Sequence, residues 1–182
     1  MTVNQPFKTD LETIRARARE KMLDGAVTAA YGADREQVIS VLNEILATEI
    51  VCVLRYKNHY YMAEGMNSGT VASEFLEHAN EEQEHADMVA ERIAQLGGTP
   101  NFDPKGLNAR SHAEYAEGST LKEMMREDLV AERVAIQTYS EIVRWLGDKD
   151  PTTRRMIEDI LATEEEHADD LAGLLTQMGE GE

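Results

Sequence analysis

Two short acidic stretches carry the residues most capable of chemistry. The first reads Glu81-Glu82-Gln83-Glu84-His85-Ala86-Asp87 and the second Thr163-Glu164-Glu165-Glu166-His167-Ala168-Asp169. Each holds a Glu-x-x-His pair, Glu82 with His85 and Glu164 with His167. Three residues apart on a helix, a carboxylate and an imidazole share one face and can be aimed at one point. With 35 acidic residues and five histidines among 182, one such pair arises readily by chance. Its meaning depends on its surroundings.

Those surroundings form an internal repeat. Glu49 is followed seven residues on by Tyr56, and Glu132 seven residues on by Tyr139. Glu82 lies 33 residues beyond Glu49, and Glu164 lies 32 beyond Glu132. Both pairs then continue His-Ala-Asp. Antiparallel helices of similar length place their midpoints side by side, so Glu49, Glu82, His85, Glu132, Glu164 and His167 would meet near the centre of a bundle. Four carboxylates withdrawn from water cost several kcal/mol per ion, so they need protons or compensating cations. Two divalent metals balance four carboxylates, and the imidazoles complete the coordination. An oxygen-rich set with some nitrogen suits iron or manganese better than copper, and the lack of thiolate weakens a structural zinc reading. Tyr56 and Tyr139 are packing residues or hydrogen-bond partners of the site. The competing reading is an ordinary acidic bundle with all six residues solvated.

The elements that must position these residues are long helices. A loose tail over residues 1–8 precedes a first helix capped by Thr9 or Asp10 and running to about Ala30. Its basic residues Arg15, Arg17, Arg19 and Lys21 are offset by Glu12, Glu20 and Asp24, which favours a packing or inter-subunit helix over a DNA-gripping arm. Asp34 can cap a second helix reaching about Glu64, with Val38, Val41, Leu42, Ile45 and Val53 at helical spacing; its roughly 30 residues would span about 45 Å. Glu49 sits within its apolar middle. After a turn at Gly65 to Gly69, a helix from about Thr70 to Leu96 carries Glu82 and His85, and Gly97-Gly98-Thr99-Pro100 ends it. The segment 101–118 is long for a connection and reads as a crossover spanning the bundle, with one helical turn at His112 to Tyr115. Ser119 or Thr120 caps the next helix, with Glu123 placed as the capping-box partner of Thr120. That helix runs to about Leu146. Pro151 opens the last one, which carries Glu164 and His167 to about Met178. The fold class is therefore all-α: an antiparallel four-helix bundle with one long crossover over residues 34–182, preceded by an N-terminal extension with a short helix over residues 1–33.

Composition bounds the function. The chain is long enough for one domain with a full core. Its net charge of −17 argues against duplex DNA as a partner and favours cations. The single cysteine, Cys52, excludes an internal disulfide, a Cys-x-x-Cys zinc site and a rubredoxin-type iron site, and reads as a small buried apolar side chain. No N-terminal signal and no apolar membrane span are expected, so the protein reads as cytoplasmic.

At these residues the chain resembles the ferritin-like superfamily, most closely bacterioferritins and their Dps-like relatives. The resemblance rests on Leu42 to Glu49, Glu82-Gln83-Glu84-His85-Ala86-Asp87 with Glu91-Arg92-Ile93, Asp128 to Glu132, and Ile160 to His167. It covers about residues 38–178. One Glu from each of two helices and Glu-x-x-His from each of the other two is the ferritin-like di-iron pattern. The resemblance implies a ferroxidase centre in which Glu49, Glu82, His85, Glu132, Glu164 and His167 hold two iron ions, with Glu82 and Glu164 bridging. Fe(II) and peroxide or dioxygen would be the reactants, with iron mineral kept inside a hollow homo-oligomeric shell. Gln83 stands where bacterioferritins carry a haem-ligating Met, which argues against haem at that position. The absence of a fifth helix and the added N-terminal helix favour a 12-subunit over a 24-subunit cage. His59 and Glu77 to Glu81 echo in part the inter-subunit iron site of typical Dps proteins. The alternatives are a di-manganese catalase or rubrerythrin-like peroxidase, and a DNA-protecting Dps-type shell protein supported only by Arg15 to Lys21.

Overall fold

The computed structural model describes residues 8–65 and 68–179, apart from the side chains of residues 64 and 65. Residues 1–7 of the expected tail over residues 1–8 and the middle of the Gly65 to Gly69 turn lie outside them. The described residues contain six α-helices and no strand: α1 (Leu11–Arg17), α2 (Arg35–Gly65), α3 (Gly69–Gln95), α4 (Leu107–Arg110), α5 (Leu121–Leu146) and α6 (Pro151–Gln177). The four long ones form the expected bundle. Hairpin α2–α3 packs against hairpin α5–α6 through α2 on α5 and α3 on α6.

The helix boundaries follow local chemistry. Asp34 Oδ1 accepts from the Glu36 and Gln37 amides at 3.1 and 3.2 Å and so caps α2. The α3 helix ends in a Schellman motif, with the Gly98 amide on Ile93 O and the Gly97 amide on Ala94 O, both at 2.9 Å, and Gly97 at φ +78°. Thr120 caps α5 through the Glu123 amide at 3.2 Å. The Glu123 carboxylate reaches one residue further back than a capping box requires, to the Ser119 amide at 2.9 Å. Pro151 opens α6 behind its cap Asp150, whose carboxylate accepts from the Thr153 amide at 2.9 Å.

Asp150 also accepts from Arg92 Nη2 at 3.0 Å and from the Tyr31 hydroxyl at 2.9 Å. This knot ties the end of α3 and the start of α6 to the N-terminal segment. The N-terminal helix itself is shorter than expected. It is capped by Asp10 but stops at Arg17, followed by a 3-10 turn at Met22–Asp24. Lys21 at φ +47° and Gly25 at φ +59° break the helical path. No residue of α1 is buried, so no tertiary packing supports a longer helix there.

Helix α2 is apolar on nearly all sides because it is covered on nearly all sides, by α3, α5 and the crossover. An 18-residue window within Arg35–Ala63 has a mean hydropathy of 1.7, which by length and composition is apolar enough to cross a bilayer, contrary to the expectation that no segment approaches this. Over half of that window is buried within the bundle, as a core helix is, and α2 carries Glu49, Arg55 and His59 inward.

A row of polar groups on α2 holds the crossover. Asn43 Oδ1 accepts from the Asn101 amide at 2.8 Å and Thr48 Oγ1 from the His112 amide at 2.9 Å. Arg55 Nη1 donates to Glu114 O at 3.2 Å, and His59 Nε2 lies 3.1 Å from Ala116 O. The crossover's helical turn is α4, not the expected His112 to Tyr115, because residues 111–116 form no helix and their backbone is held by this row.

The core falls into two apolar blocks. One contains Leu42, Ile45, Val89, Ile93, Leu146 and Ile157. The other contains Cys52, Phe75, Met124, Met125, Leu171 and Leu175. Between them along the helices lies a layer of buried polar residues.

Candidate metal centre

That polar layer is made by the six residues of the repeat. Glu49 comes from α2, Glu82 and His85 from α3, Glu132 from α5, and Glu164 and His167 from α6. None is more than 4% exposed, which rules out the solvated-face reading. Their ligand atoms form two overlapping groups, Glu49, Glu82, His85 and Glu164, and Glu82, Glu132, Glu164 and His167, with the atoms of each group within 4.8 Å of one another. Glu82 and Glu164 belong to both. His85 Nδ1 lies 3.1 Å from Glu164 and 3.4 Å from Glu49. His167 Nδ1 lies 3.4 Å from Glu164 and 3.6 Å from Glu82.

Hydrogen bonding inside the layer is incomplete in a telling way. Glu49 Oε2, Glu82 Oε1, Glu132 Oε2, both Glu164 oxygens, His85 Nδ1 and His167 Nδ1 are buried with no hydrogen-bond partner. Orphaned buried polar atoms are rare because each costs about 1–3 kcal/mol. Seven converging on one layer fit divalent metal ions as the missing partners.

The electrostatics agree. Burial, then the charge of Glu82, pushes Glu49 up to about 8. Burial, then Glu82 and Glu164, pushes Glu132 well above the carboxylate range. Burial alone would pull His85 and His167 down, but the close carboxylates of Glu164 and neighbouring glutamates raise both, His167 to about 11. Burial would push Glu164 up, yet the adjacent imidazoles of His167 and His85 leave it lowered. The upward shifts of Glu49, Glu132, His85 and His167 all favour their protonated forms without metal, and bound metal would displace those protons.

The tyrosines are hydrogen-bond partners, and they reach across the repeat. Tyr56 of α2 donates to Glu132 of α5, and Tyr139 of α5 donates to Glu49 of α2. Burial, then the facing carboxylate, pushes both phenols well above their ordinary value, so they remain donors. Each braces one carboxylate and leaves its other oxygen free for a metal.

Several features were invisible to sequence spacing. Glu81 accepts from His167 Nε2 at 2.7 Å. His78 stacks on His167 with ring centroids 3.9 Å apart, and its Nδ1 lies 3.3 Å from the Tyr56 hydroxyl. Burial and the adjacent His167 pull His78 down to about 3. The glutamate preceding Glu82 and the i−4 histidine were the available signals, but neither recurs in the second half. His59 does not serve a site shared between subunits. It is fully buried against Asp128 at 2.8 Å, beside the Arg55–Asp128 pair at 2.7 Å. Gln83 is exposed and donates to Asp87 at 3.1 Å. Cys52 is buried, which pushes its thiol well up.

Comparison with known proteins identifies relatives of the chain in sequence and fold. The ferritin-like domain model matches residues 39–180. The chain is 31% identical over 144 residues to a bacterioferritin of Mycobacterium leprae, covering 79% of this chain and 86% of that one. Among solved structures it superposes on a dodecameric thioferritin of Bacteroides fragilis, a bacterioferritin-related protein, with a TM-score of 0.76 and 34% identity over 81% of this chain and 89% of that one. It also superposes on the Desulfovibrio desulfuricans bacterioferritin, whose di-iron site is known in different catalytic states, with a TM-score of 0.71 and 26% identity over 79% and 81% of the two chains.

Proposed function

The chain belongs to the ferritin-like domain family, and from that premise we propose that it oxidises Fe(II) at the six-residue layer and stores the product. The observation that carries this reading is the pair of four-residue ligand groups sharing Glu82 and Glu164. Two substrate Fe(II) ions would be held side by side, one by Glu49 and His85, the other by Glu132 and His167. Glu82 and Glu164 would each offer one oxygen to each ion. Four carboxylates stabilise Fe(III) over Fe(II) and so favour loss of an electron from each ion. With peroxide as oxidant, two Fe(II) ions supply two electrons, two protons are consumed, and two waters form. With dioxygen the same two electrons and two protons yield one peroxide.

The residues around the ions have distinct tasks. Tyr56 and Tyr139 hold the non-ligating oxygens of Glu132 and Glu49, which keeps those carboxylates from swinging. Glu81 orients His167 through its outer nitrogen. We further propose a closed homo-oligomeric shell in which the acidic surface of the chain nucleates mineral; the dodecameric state of the bacterioferritin-related thioferritin supports an assembly of this kind.

The test is anaerobic titration with Fe(II) followed by oxidant. Oxidation at about two irons per chain, lost in Glu82→Gln and Glu164→Gln, is expected. Absence of stoichiometric oxidation would overturn the reading. Catalytic oxygen evolution from peroxide with manganese bound would assign a catalase instead.

A further inference from the structure

The two halves of the bundle are not equivalent around the centre. On the α3–α6 face beside His167, Glu74, His78 and Asp170 bring a carboxylate, an imidazole and a second carboxylate within 4.8 Å of one another. The repeat relates Glu82 to Glu164 and His85 to His167, 82 residues apart in each case. The same offset relates Glu74, His78 and Asp170 to Met156, Ile160 and Met88. The fold thus accommodates apolar side chains at these three places in one half and has ligand-type residues at all three in the other.

The tautomer of His78 is set by its surroundings. The Tyr56 hydroxyl has one proton and donates it to Glu132, so towards His78 it can only accept. His78 Nδ1 therefore carries the hydrogen, and Nε2 presents its lone pair. That nitrogen makes no hydrogen bond among the described residues. Its side chain is 3% exposed, and Nε2 faces Glu74 Oε1 at 3.6 Å. Two ligands of one tetrahedral ion with bonds of about 2.0–2.1 Å lie about 3.3 Å apart, so a small side-chain shift closes the pair on a metal. A metal-bound imidazole whose other nitrogen donates to a fixed acceptor is the usual arrangement for such ligands. Glu74 is partly exposed and Asp170 exposed, so an ion can arrive from solvent.

We propose that Glu74, His78 and Asp170 form a third site for a divalent first-row metal ion, separated from the binuclear layer by the His78–His167 ring stack. Mixed nitrogen and oxygen ligands suit Fe(II), Mn(II), Co(II) or Zn(II) rather than Ca(II). Binding here does not require the oxidation chemistry. If the chain does oxidise iron, the site is placed to hold Fe(II) next to the layer.

Co(II) titration of the intact protein, with crystals imaged by anomalous scattering at the cobalt edge, tests the assignment. Three cobalt ions per chain are expected, one of them bonded to His78 Nε2. Asp170→Asn, at an exposed position, should weaken that ion at least tenfold. His78→Ile, which copies the residue at the repeat-related position 160, should abolish it while two ions remain. Those two remaining ions also report that the variant has folded. Two ions at saturation in the wild-type chain, or a third ion that ignores both substitutions, would overturn the proposal. A single ion at His78 with none at Glu82 or Glu164 would uphold it and overturn the ferroxidase reading instead.

Discussion

Replacing Glu49 by Gln should stabilise the metal-free protein and weaken its stabilisation by metal. Glu49 is buried, and its carboxyl is pushed from 4.5 up to about 8, first by burial and then by Glu82. Below pH 4.5 both folded and unfolded chains are protonated at this group, and it imposes no penalty. Between pH 4.5 and about 8 the folded chain keeps a proton that the unfolded chain has lost, so stability falls by about 1.4 kcal/mol per pH unit. Above about 8 the loss is complete. At pH 7 the accumulated penalty is about 3 kcal/mol. Gln keeps the side-chain shape and can still accept from Tyr139, but it does not ionise. Metal-free Glu49→Gln should therefore gain up to about 3 kcal/mol at pH 7, or about 6–12 °C in Tm for a chain of this size. The gain should shrink towards zero near pH 4.5.

With metal the sign reverses. The substitution would remove a proposed ligand, and a hundredfold weaker affinity would remove about 2.7 kcal/mol of metal-linked stability. Urea unfolding of chelator-treated protein at several pH values, repeated with saturating Co(II), measures both effects. A variant that is no more stable than wild type without metal at pH 7, or whose gain is the same at every pH, would refute the reasoning.

Three other perturbations probe the frame. Asp150→Ala removes the cap of α6 and leaves Arg92, 8% exposed, without its carboxylate; a loss of about 3 kcal/mol in urea unfolding is expected. Asp128→Asn leaves Arg55 buried without its counter-ion, so about 3–5 kcal/mol should be lost, and hydrogen exchange should rise along the crossover near residues 114–116. Gly118 sits at φ +62°, and a Cβ there would lie 2.8 Å from the Met124 amide nitrogen, so Gly118→Ala should cost about 2 kcal/mol and lower Tm by a few degrees.

Much of the centre was legible in the chain because it is encoded by spacing. Glu-x-x-His puts two ligands on one helix face whatever the helix packs against, and the matched offsets from Glu49 and Glu132 bring four helices into register. The caps at Asp34 and Thr120 and the helix start at Pro151 were readable for the same reason: they act within one turn. Tertiary structure decided everything that depends on which helix faces which. Tyr56 sits seven residues from Glu49 yet braces Glu132, because its hydroxyl extends across to α5. His59 meets Asp128 rather than a metal, and His78 lies on His167, through contacts made between helices distant in sequence. The N-terminal helix ends early because helical propensity without a buried face does not hold a helix together. Periodicity states which side of a helix is inward, but only packing determines which inward residues touch.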